Sequence, residues 1–476
     1  MRSWRTPVFI LLLALGTARP AIAQVEKQME TYDLPLDDFL AETFQRSPGI
    51  QQFRADVERA AGVNLVNRSR ALPQLTAQFN GGLRGGNLYN PVKIGHTNAT
   101  VSVIDTNGAV TIYPQLYGLL TAQASQPLLD FGIPPTLRRG RLEVLYAEQN
   151  LNREVTDRLF EAHTTYLGAL YLRDLIALRE DIDPRLQANV DSEQRRLDVG
   201  MGSEAALTSA KIQKLNLARE LADLRGEYFF TMARIAEICG REASQRTAGA
   251  PPLRLPKPVG PLPYEPVQPD WTQESAYAFQ RRPDLKLLKT LVEAIAADKQ
   301  TVQSGYFPMV SLTASGFFIP SNLLLHKQTA IVAGQSTLSS LVEGGVSLSW
   351  RVIDNGQVTG WSHQLEATRQ SYEITLHKLE QNIPRELAVI RGDLENADTR
   401  HDALLLSAKE ADENLKLIEA QVALGQATQL DFLKAQSNLL SVRGGIADAT
   451  YSHAIARAQL DRATGRYLQY HDEKTP

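Results

Sequence analysis

Asp431 falls three residues after Thr428, at the head of an apolar run, and Lys434 follows within the same turn. Thr and an acid at that spacing make a capping box, in which each side chain serves the other residue's backbone N–H. Asp431 and Lys434 are also close enough on a helix to pair. Gly200-Met201-Gly202-Ser203-Glu204-Ala205 fits a loose G-x-G-x-x-A spacing. That spacing cradles a dinucleotide only where it follows a strand, and here no strand pattern precedes it. The chain has no H-E-x-x-H, no P-loop, no G-x-S-x-G elbow and no C-x-x-C. Its eight histidines are scattered, and His363 and His377 lack ligand spacing and read as surface or lumen residues. Cys239 is the single cysteine, without an internal disulfide partner, and reads as a small apolar helix residue. Asp130 and Asp354, each at the end of an alternating stretch, read as strand-to-helix caps. These residues point away from an enzyme: no catalytic group, cofactor or metal is expected.

The elements that carry them are long helices and short strands. The composition is 43% hydrophobic and 22% charged, with low aromatic content, which favours extended helices. A formal net charge of −3 over 476 residues gives no basic footprint for nucleic acid. Residues 1–23 read as a secretory signal: Arg2 and Arg5, a short apolar run from Val8 to Leu15, then Ala21-Ile22-Ala23. No Cys follows the cleavage site to carry a lipid. After the signal there is no run of about 18 apolar residues. Any membrane-spanning part must therefore be a closed β-barrel, which alone besides the helix satisfies every backbone group in lipid.

The chain repeats itself. Arg46-Ser47-Pro48 resembles Arg281-Arg282-Pro283, and Pro73 and Pro308 follow at equal separation. Gln126-Pro127-Leu128-Leu129-Asp130-Phe131-Gly132 resembles the stretch Ser349 to Gly356. Gly200 matches Gly425, and Gly240-Arg241 matches Gly465-Arg466, with no gap between. The expected organisation is a first repeat over 24–249, a Pro-rich linker over 250–269, a second repeat over 270–468 and a tail over 469–476. The linker holds Pro251, Pro252, Pro256, Pro258, Pro261, Pro263, Pro266 and Pro269 and reads as stiff and extended.

Each copy reads helix, β-hairpin, long helix, turn, long helix. Leu75, Ala77 and Phe79 alternate with polar neighbours, as do Leu120, Ala122 and Ala124, then Val310, Leu312 and Ala314, then Val346, Leu348, Trp350 and Val352. Period two gives each strand one apolar and one polar face, the pattern of a half-buried sheet or of a transmembrane barrel. Leu404, Ala408, Ala411, Leu415, Ile418 and Val422 step by four and three; Phe432, Ala435, Leu439, Val442, Ile446 and Ala449 continue the seam. Leu207, Ala210, Lys214, Leu217, Leu221, Leu224 and Tyr228 match them in the first copy. This narrow heptad seam is the mark of coiled-coil packing. The stretches before each turn run about 60 residues, or about 90 Å, with Pro184 and Pro384 as the nearest breaks. At each turn a Gly stops one helix, and Ser203 or Thr428 stands ready to cap the next.

Leu424-Gly425-Gln426-Ala427-Thr428-Gln429-Leu430-Asp431-Phe432-Leu433-Lys434-Ala435-Gln436 resembles the L-G-x-x-T-x-L-D-x-L-x-A-Q tip of the TolC-like outer-membrane efflux proteins. Ala463-Thr464-Gly465 is similar to that family's A-L-G helix ending, and Asp130 and Asp354 stand where it has a P-L-F-D-G-G corner. The resemblance runs over essentially the whole mature chain. It implies a mixed α+β membrane protein with four strands per subunit in a trimeric β-barrel, continued by a long periplasmic α-helical coiled-coil barrel. It further implies loops near 84–112 and 323–338 facing the exterior and a place in the cell outer membrane. The implied partners are two further copies in a homotrimer, a periplasmic adaptor (membrane fusion) protein, an inner-membrane pump of RND or ABC type and outer-membrane lipid. Arg196-Leu197-Asp198-Val199-Gly200 resembles the family's R-L-x-x-G docking pattern, which would make Arg196, Leu197, Val199, Gly200, Leu424 and Gly425 adaptor-docking tips. Asp431 stands where family members place a gating acid; the second acid of the family is here Lys434, and the first-copy position is Ala206. The implied function is a passive duct of a tripartite efflux or type I secretion system. The rival reading is a soluble periplasmic coiled-coil adaptor or scaffold, which would ordinarily carry one helical hairpin rather than two.

Overall fold

The computed structural model describes residues 30–89, 109–240, 254–266, 268–318 and 340–468. The expected signal (1–23), the tail 469–476 and the loop 323–338 lie outside the described residues.

The first copy consists of α1 (Leu36–Arg46), α2 (Pro48–Ser69), β2 (Gln74–Tyr89), β3 (Ala109–Leu129), α3 (Ile133–Glu180), α4 (Asp183–Asp198) and α5 (Glu204–Ile238). The second repeats that order as α6 (Trp271–Arg281), α7 (Pro283–Gln303), β5 (Met309–Phe318), β6 (Ser340–Ser349), α8 (Gln357–Ala423) and α9 (Gln429–Ala463). A short strand introduces each copy: β1 (Glu30–Leu34) and β4 (Arg254–Pro258) pair in parallel. The Pro-rich linker thus contributes an edge strand, extended as expected, with Leu255 fully buried. A two-stranded sheet has only edges, so Pro256 and Pro258 break no ladder on their free sides.

Two expected helix breaks have different outcomes. Pro184 lies in the first turn of α4, where its missing N–H costs nothing, and α3 ends just before it. Pro384 lies inside α8, which runs unbroken for 67 residues. Ile383 and Leu387 flank it in the interior, and their burial holds the helix across the lost hydrogen bond. The strands also reach further than expected: β2 ends at Tyr89 and β3 begins at Ala109, so both enter the predicted loop 84–112. β6 instead stops at Ser349, short of Trp350 and Val352. Trp350 there donates from Nε1 to the Tyr306 carbonyl at 3.1 Å.

The chain divides into two compact units. One comprises residues 54–150 and 283–380 and carries an antiparallel sheet in the order β2-β3-β5-β6. Its register aligns the alternating residues in rows: Leu75 faces Ala124, which faces Ala314; Phe79 faces Leu120, which faces Phe318; Leu312 faces Val346. The register of β3 against β5 shifts between Pro127 and Leu129, where proline has no N–H to give. The apolar rows are bare: Leu75 is 76% exposed and Val342 85%. On the polar face Ser315 donates to Glu343 at 2.9 Å. Below the sheet Arg139 bridges Glu143 and Asp298, and Lys299 reaches Glu366 at 2.9 Å. Asp130 and Asp354 are caps: Asp130 accepts from Gly132 N at 2.7 Å, and Asp354 from Val358 N at 2.9 Å and Gly356 N at 3.0 Å.

The other unit comprises residues up to 53, 151–282 and 381 onward. Its main core joins Phe39, Ile50, Leu159, Tyr166, Ile235 and Tyr467. The helical seam read from the sequence is present, with Ala411, Leu415, Ala435 and Leu439 buried against one another. Cys239 is fully buried in the main core. Tyr166 Oη accepts from Val259 N at 3.0 Å and lies 2.9 Å from the Leu34 carbonyl, so it pins β1 and the linker together. Three histidines that the sequence did not single out are built into this unit. His453 lies 2.7 Å from Asp398 and 3.1 Å from the Glu265 carbonyl, His401 stacks on Tyr264, and His163 Nδ1 lies 2.8 Å from Tyr467 Oη.

Gly240 and Gly465, the matched landmarks, have φ of +68° and +72°. A Cβ on Gly240 would lie 2.8 Å from the Arg46 carbonyl, and one on Gly465 would lie 3.3 Å from the Arg281 backbone. The same helix end therefore packs on the same corner in both copies. Gly240→Ala is expected to lower stability by about 2 kcal/mol or more, and Gly425→Ala, in open space, by about 1 kcal/mol, measured by denaturant titration in micelles. His163 gives a pH signature. Burial lowers its pKa from 6.5 to about 4. Unfolded, the ring takes its proton near pH 6.5; folded, it refuses it until about 4. The fold keeps its full stability above pH 6.5 and loses on the order of 2–3 kcal/mol as pH falls to 4. Thermal midpoints from pH 7.5 to 4.5 should show that slope, and His163→Asn should flatten it.

Candidate functional site

The two hairpin tips are where the sequence places its candidate residues. Both are built alike. Gly200 at φ +72° and Gly425 at φ +70° end α4 and α8. At the first tip Gly200 N donates to Leu197 O and Met201 N to Arg196 O, both at 2.9 Å; at the second Gly425 N donates to Val422 O at 3.0 Å and Gln426 N to Gln421 O at 2.8 Å. This is the Schellman pair of bonds, which needs a left-handed residue and so a glycine.

The tips diverge after the turn. Thr428 and Asp431 form a full capping box on α9: Asp431 N donates to Thr428 Oγ1 at 3.2 Å, and Thr428 N and Oγ1 donate to Asp431 Oδ2 at 3.1 and 2.5 Å. Ser203 occupies the matching place on α5 but makes no capping bond with its side chain. At Gly202 a Cβ would stand 2.6 Å from Leu197 N, so the first tip folds back more tightly than the second, which has Ala427 there. The loose G-x-G-x-x-A spacing spans this turn and the first two residues of α5, and it follows a helix rather than a strand.

Of the expected docking residues, Val199 is 69% and Leu424 73% exposed, and Arg196 reaches back to Glu193 at 3.2 Å. Met201, 78% exposed between two glycines, and Leu430, 54% exposed, are further bare apolar side chains at the tips that the sequence reading did not single out. Asp431 and Lys434 share the first turns of α9. The Thr428 hydroxyl and then the Thr428 backbone N–H hold the Asp431 carboxyl below the usual range, and the Lys434 charge adds the smallest share. A bond between the copies also went unread: Gln429 Nε2 donates to the buried Asn189 Oδ1 at 3.0 Å. Among the described residues no three His, Cys, Asp or Glu gather as metal ligands, and no helix is long and apolar enough to cross a membrane.

Thr428→Ala is expected to raise amide exchange at Asp431 and Phe432 roughly fivefold. Because the Asp431 pKa is lowered in the fold, its capping bonds are fully present at neutral pH and weaken only as pH falls below about 4. The exchange difference between wild type and Thr428→Ala should therefore shrink only at the acid end.

Residues 276–466 match the family model described as outer membrane efflux protein. The outer membrane efflux protein BepC of Brucella suis biovar 1 (strain 1330) is 22% identical over 432 residues, which cover 90% of this chain and 84% of BepC. CusC, solved in a study of transmembrane channel formation, superposes with a TM-score of 0.71 at 15% identity over 97% of this chain and 98% of its own. The outer-membrane channel OprN superposes at 0.70 with 17% identity over 90% and 89%. The open Neisseria gonorrhoeae MtrE outer membrane channel does so at 0.67 with 16% identity over 90% and 88%. The duplicated order of helices and strands is shared with these channels nearly end to end, so the chain has their fold, and its second copy matches the outer membrane efflux protein family model.

Proposed function

We propose that the chain is one of three subunits of a passive export duct. The supporting observation is the four-stranded sheet. β2 and β6 each pair on one side only among the described residues, and its apolar rows are uncovered. An open edge has no place in hydrocarbon, where each unsatisfied backbone group costs several kcal/mol. Three copies joined edge to edge give a closed barrel of twelve strands, apolar face to lipid and polar face to lumen. The scaffold reading has no use for such a face.

The duct works without hydrolysis of its own. An inner-membrane pump, of RND or ABC type, supplies the energy, and a periplasmic adaptor meets the tips at Arg196, Leu197, Val199, Gly200, Leu424 and Gly425. Asp431 and Lys434 belong to the gate, where capping and gating use the same carboxylate. Lys434, where the family resemblance would put a second acid, leaves the gate with one carboxylate and one cation per subunit. Tripartite efflux is the reading favoured over type I secretion, since the name of the aligned relative is that of an efflux protein.

The test is a deletion strain challenged with hydrophobic drugs, detergents and divalent metals. Sensitivity that a plasmid copy reverses is the expected result. The same protein, extracted by detergent, should run as a trimer that heat dissociates. A monomer released by osmotic shock would sink the duct and restore the scaffold.

A further inference from the structure

Arg84 on β2 and Glu343 on β6 are the only charged residues in the four strands of the sheet. Thr76, Gln123, Ser315 and Glu343 form one row across the polar face. Arg84 belongs to the same face by its even spacing from Thr76, but it stands about 26 Å farther along β2. A cavity of about 250 Å³ opens on this face, bordered by Thr76, Gln78, Thr121, Gln123, Ser315 and Glu343, with Phe317 and Leu341 beside them. A cavity that all four strands border means that the sheet curves toward its polar side. Closed in that sense, the sheet puts its polar side on the inside. Glu343 is exposed there and accepts from Ser315 Oγ at 2.9 Å. Among the described residues no cation pairs with it.

We propose that Glu343 makes the β part of the duct selective for cations over anions. This rests on the closed barrel proposed above, in which three copies of Glu343 form a ring. Twelve strands about 4.8 Å apart and tilted by about 40° close at a backbone radius of about 12 Å, which leaves inward carboxylates about 7 Å from the axis. The Debye length in 0.1 M salt is about 10 Å, so the field of the ring reaches the whole cross-section. The remaining members of the row, Thr76, Gln123 and Ser315, are neutral and leave that field uncancelled. Arg84, more than two Debye lengths away along the strand, leaves the potential at the Glu343 row nearly untouched. Cationic solutes are drawn into this ring and anions are held back, as at other rings of acidic side chains. The effect is one of charge and not of a fitted pocket, so it acts on small ions and on charged cargo alike.

The test uses the assembled protein in lipid nanodiscs at pH 7.5, carrying Gln123→Cys in the Glu343 row. The native Cys239 is fully buried and stays silent. Two thiol reagents are compared, a quaternary-ammonium and a sulfonate methanethiosulfonate, each rate taken relative to that with a free thiol. The barrel lumen is open to them whether or not the tips are closed. In 0.1 M salt the ratio of cationic to anionic rate should fall about threefold in Glu343→Gln and further in Glu343→Lys, and in 1 M salt the three ratios should converge. The heat-dissociation temperature of the trimer should not change. In planar bilayers under a KCl gradient, the permeability to K⁺ relative to Cl⁻ should fall in Glu343→Gln in the same sense. A rate ratio indifferent to Glu343→Gln, or one that salt does not move, overturns the proposal and leaves the duct standing. Ala124→Cys, on the apolar face of the same strand, should react with neither reagent in the trimer. Free reaction there, or a monomer in the same preparation, overturns the barrel and this proposal with it.

Discussion

An unpaired backbone N–H or C=O costs several kcal/mol wherever water cannot reach it, and among the described residues the sheet β2-β3-β5-β6 has a partner on only one side of β2 and of β6. Everything else about the β part is organised around that constraint. The register lines up Leu75, Ala124 and Ala314 on one face and Thr76, Gln123 and Ser315 on the other. A slip of one residue in any strand would place threonine and glutamine in the apolar row, so alternation and register reinforce one another. Pro127, which cannot serve both neighbours, sits where the β3–β5 register shifts, near the end of the ladder.

The duplication solves the remaining geometric problem with one set of parts. Four glycines in left-handed conformation, Gly200, Gly240, Gly425 and Gly465, stop four helices at matching places. Two of them, Gly240 and Gly465, must also be bare of a side chain, because the Arg46 and Arg281 corners press against them. The matched pair at the tips has no neighbour to avoid. Glycine is there for its backbone angle alone. The same residue type thus answers two demands, and only coordinates separate them.

The periodicities carried most of the fold. The heptad seam through Ala411, Leu415, Ala435 and Leu439 and the alternating strands were readable because packing there is local and repetitive. Pro384 was misread because propensity is a local cost and the burial of Ile383 and Leu387 outweighs it. The linker strand went unread for the opposite reason: its partner, β1, is about 220 residues away, and nothing in a proline run announces a parallel pairing. At the tips the capping box of Thr428 and Asp431 was legible from spacing. The Gln429–Asn189 bond and the empty valence of Gln436 were not, since polar residues on a helix look alike until a neighbouring helix decides which of them are buried.

The two tips, equal in turn chemistry, are unequal in stiffness, and the inequality follows from three substitutions. Thr428 with Asp431 closes a capping box where Ser203 with Ala206 has only a helix start. Gly202 allows the first turn to fold onto Leu197, whereas Ala427 keeps the second more open. Gln429 ties the second tip to Asn189, which is buried in the hairpin of the first. Strain and order therefore lie on different sides: the first tip is compact through its backbone, and the second is held by side-chain hydrogen bonds. A side-chain bond can be exchanged for a ligand or a partner at small cost, while a backbone turn cannot. The second tip is therefore the one that can rearrange without breaking a backbone turn.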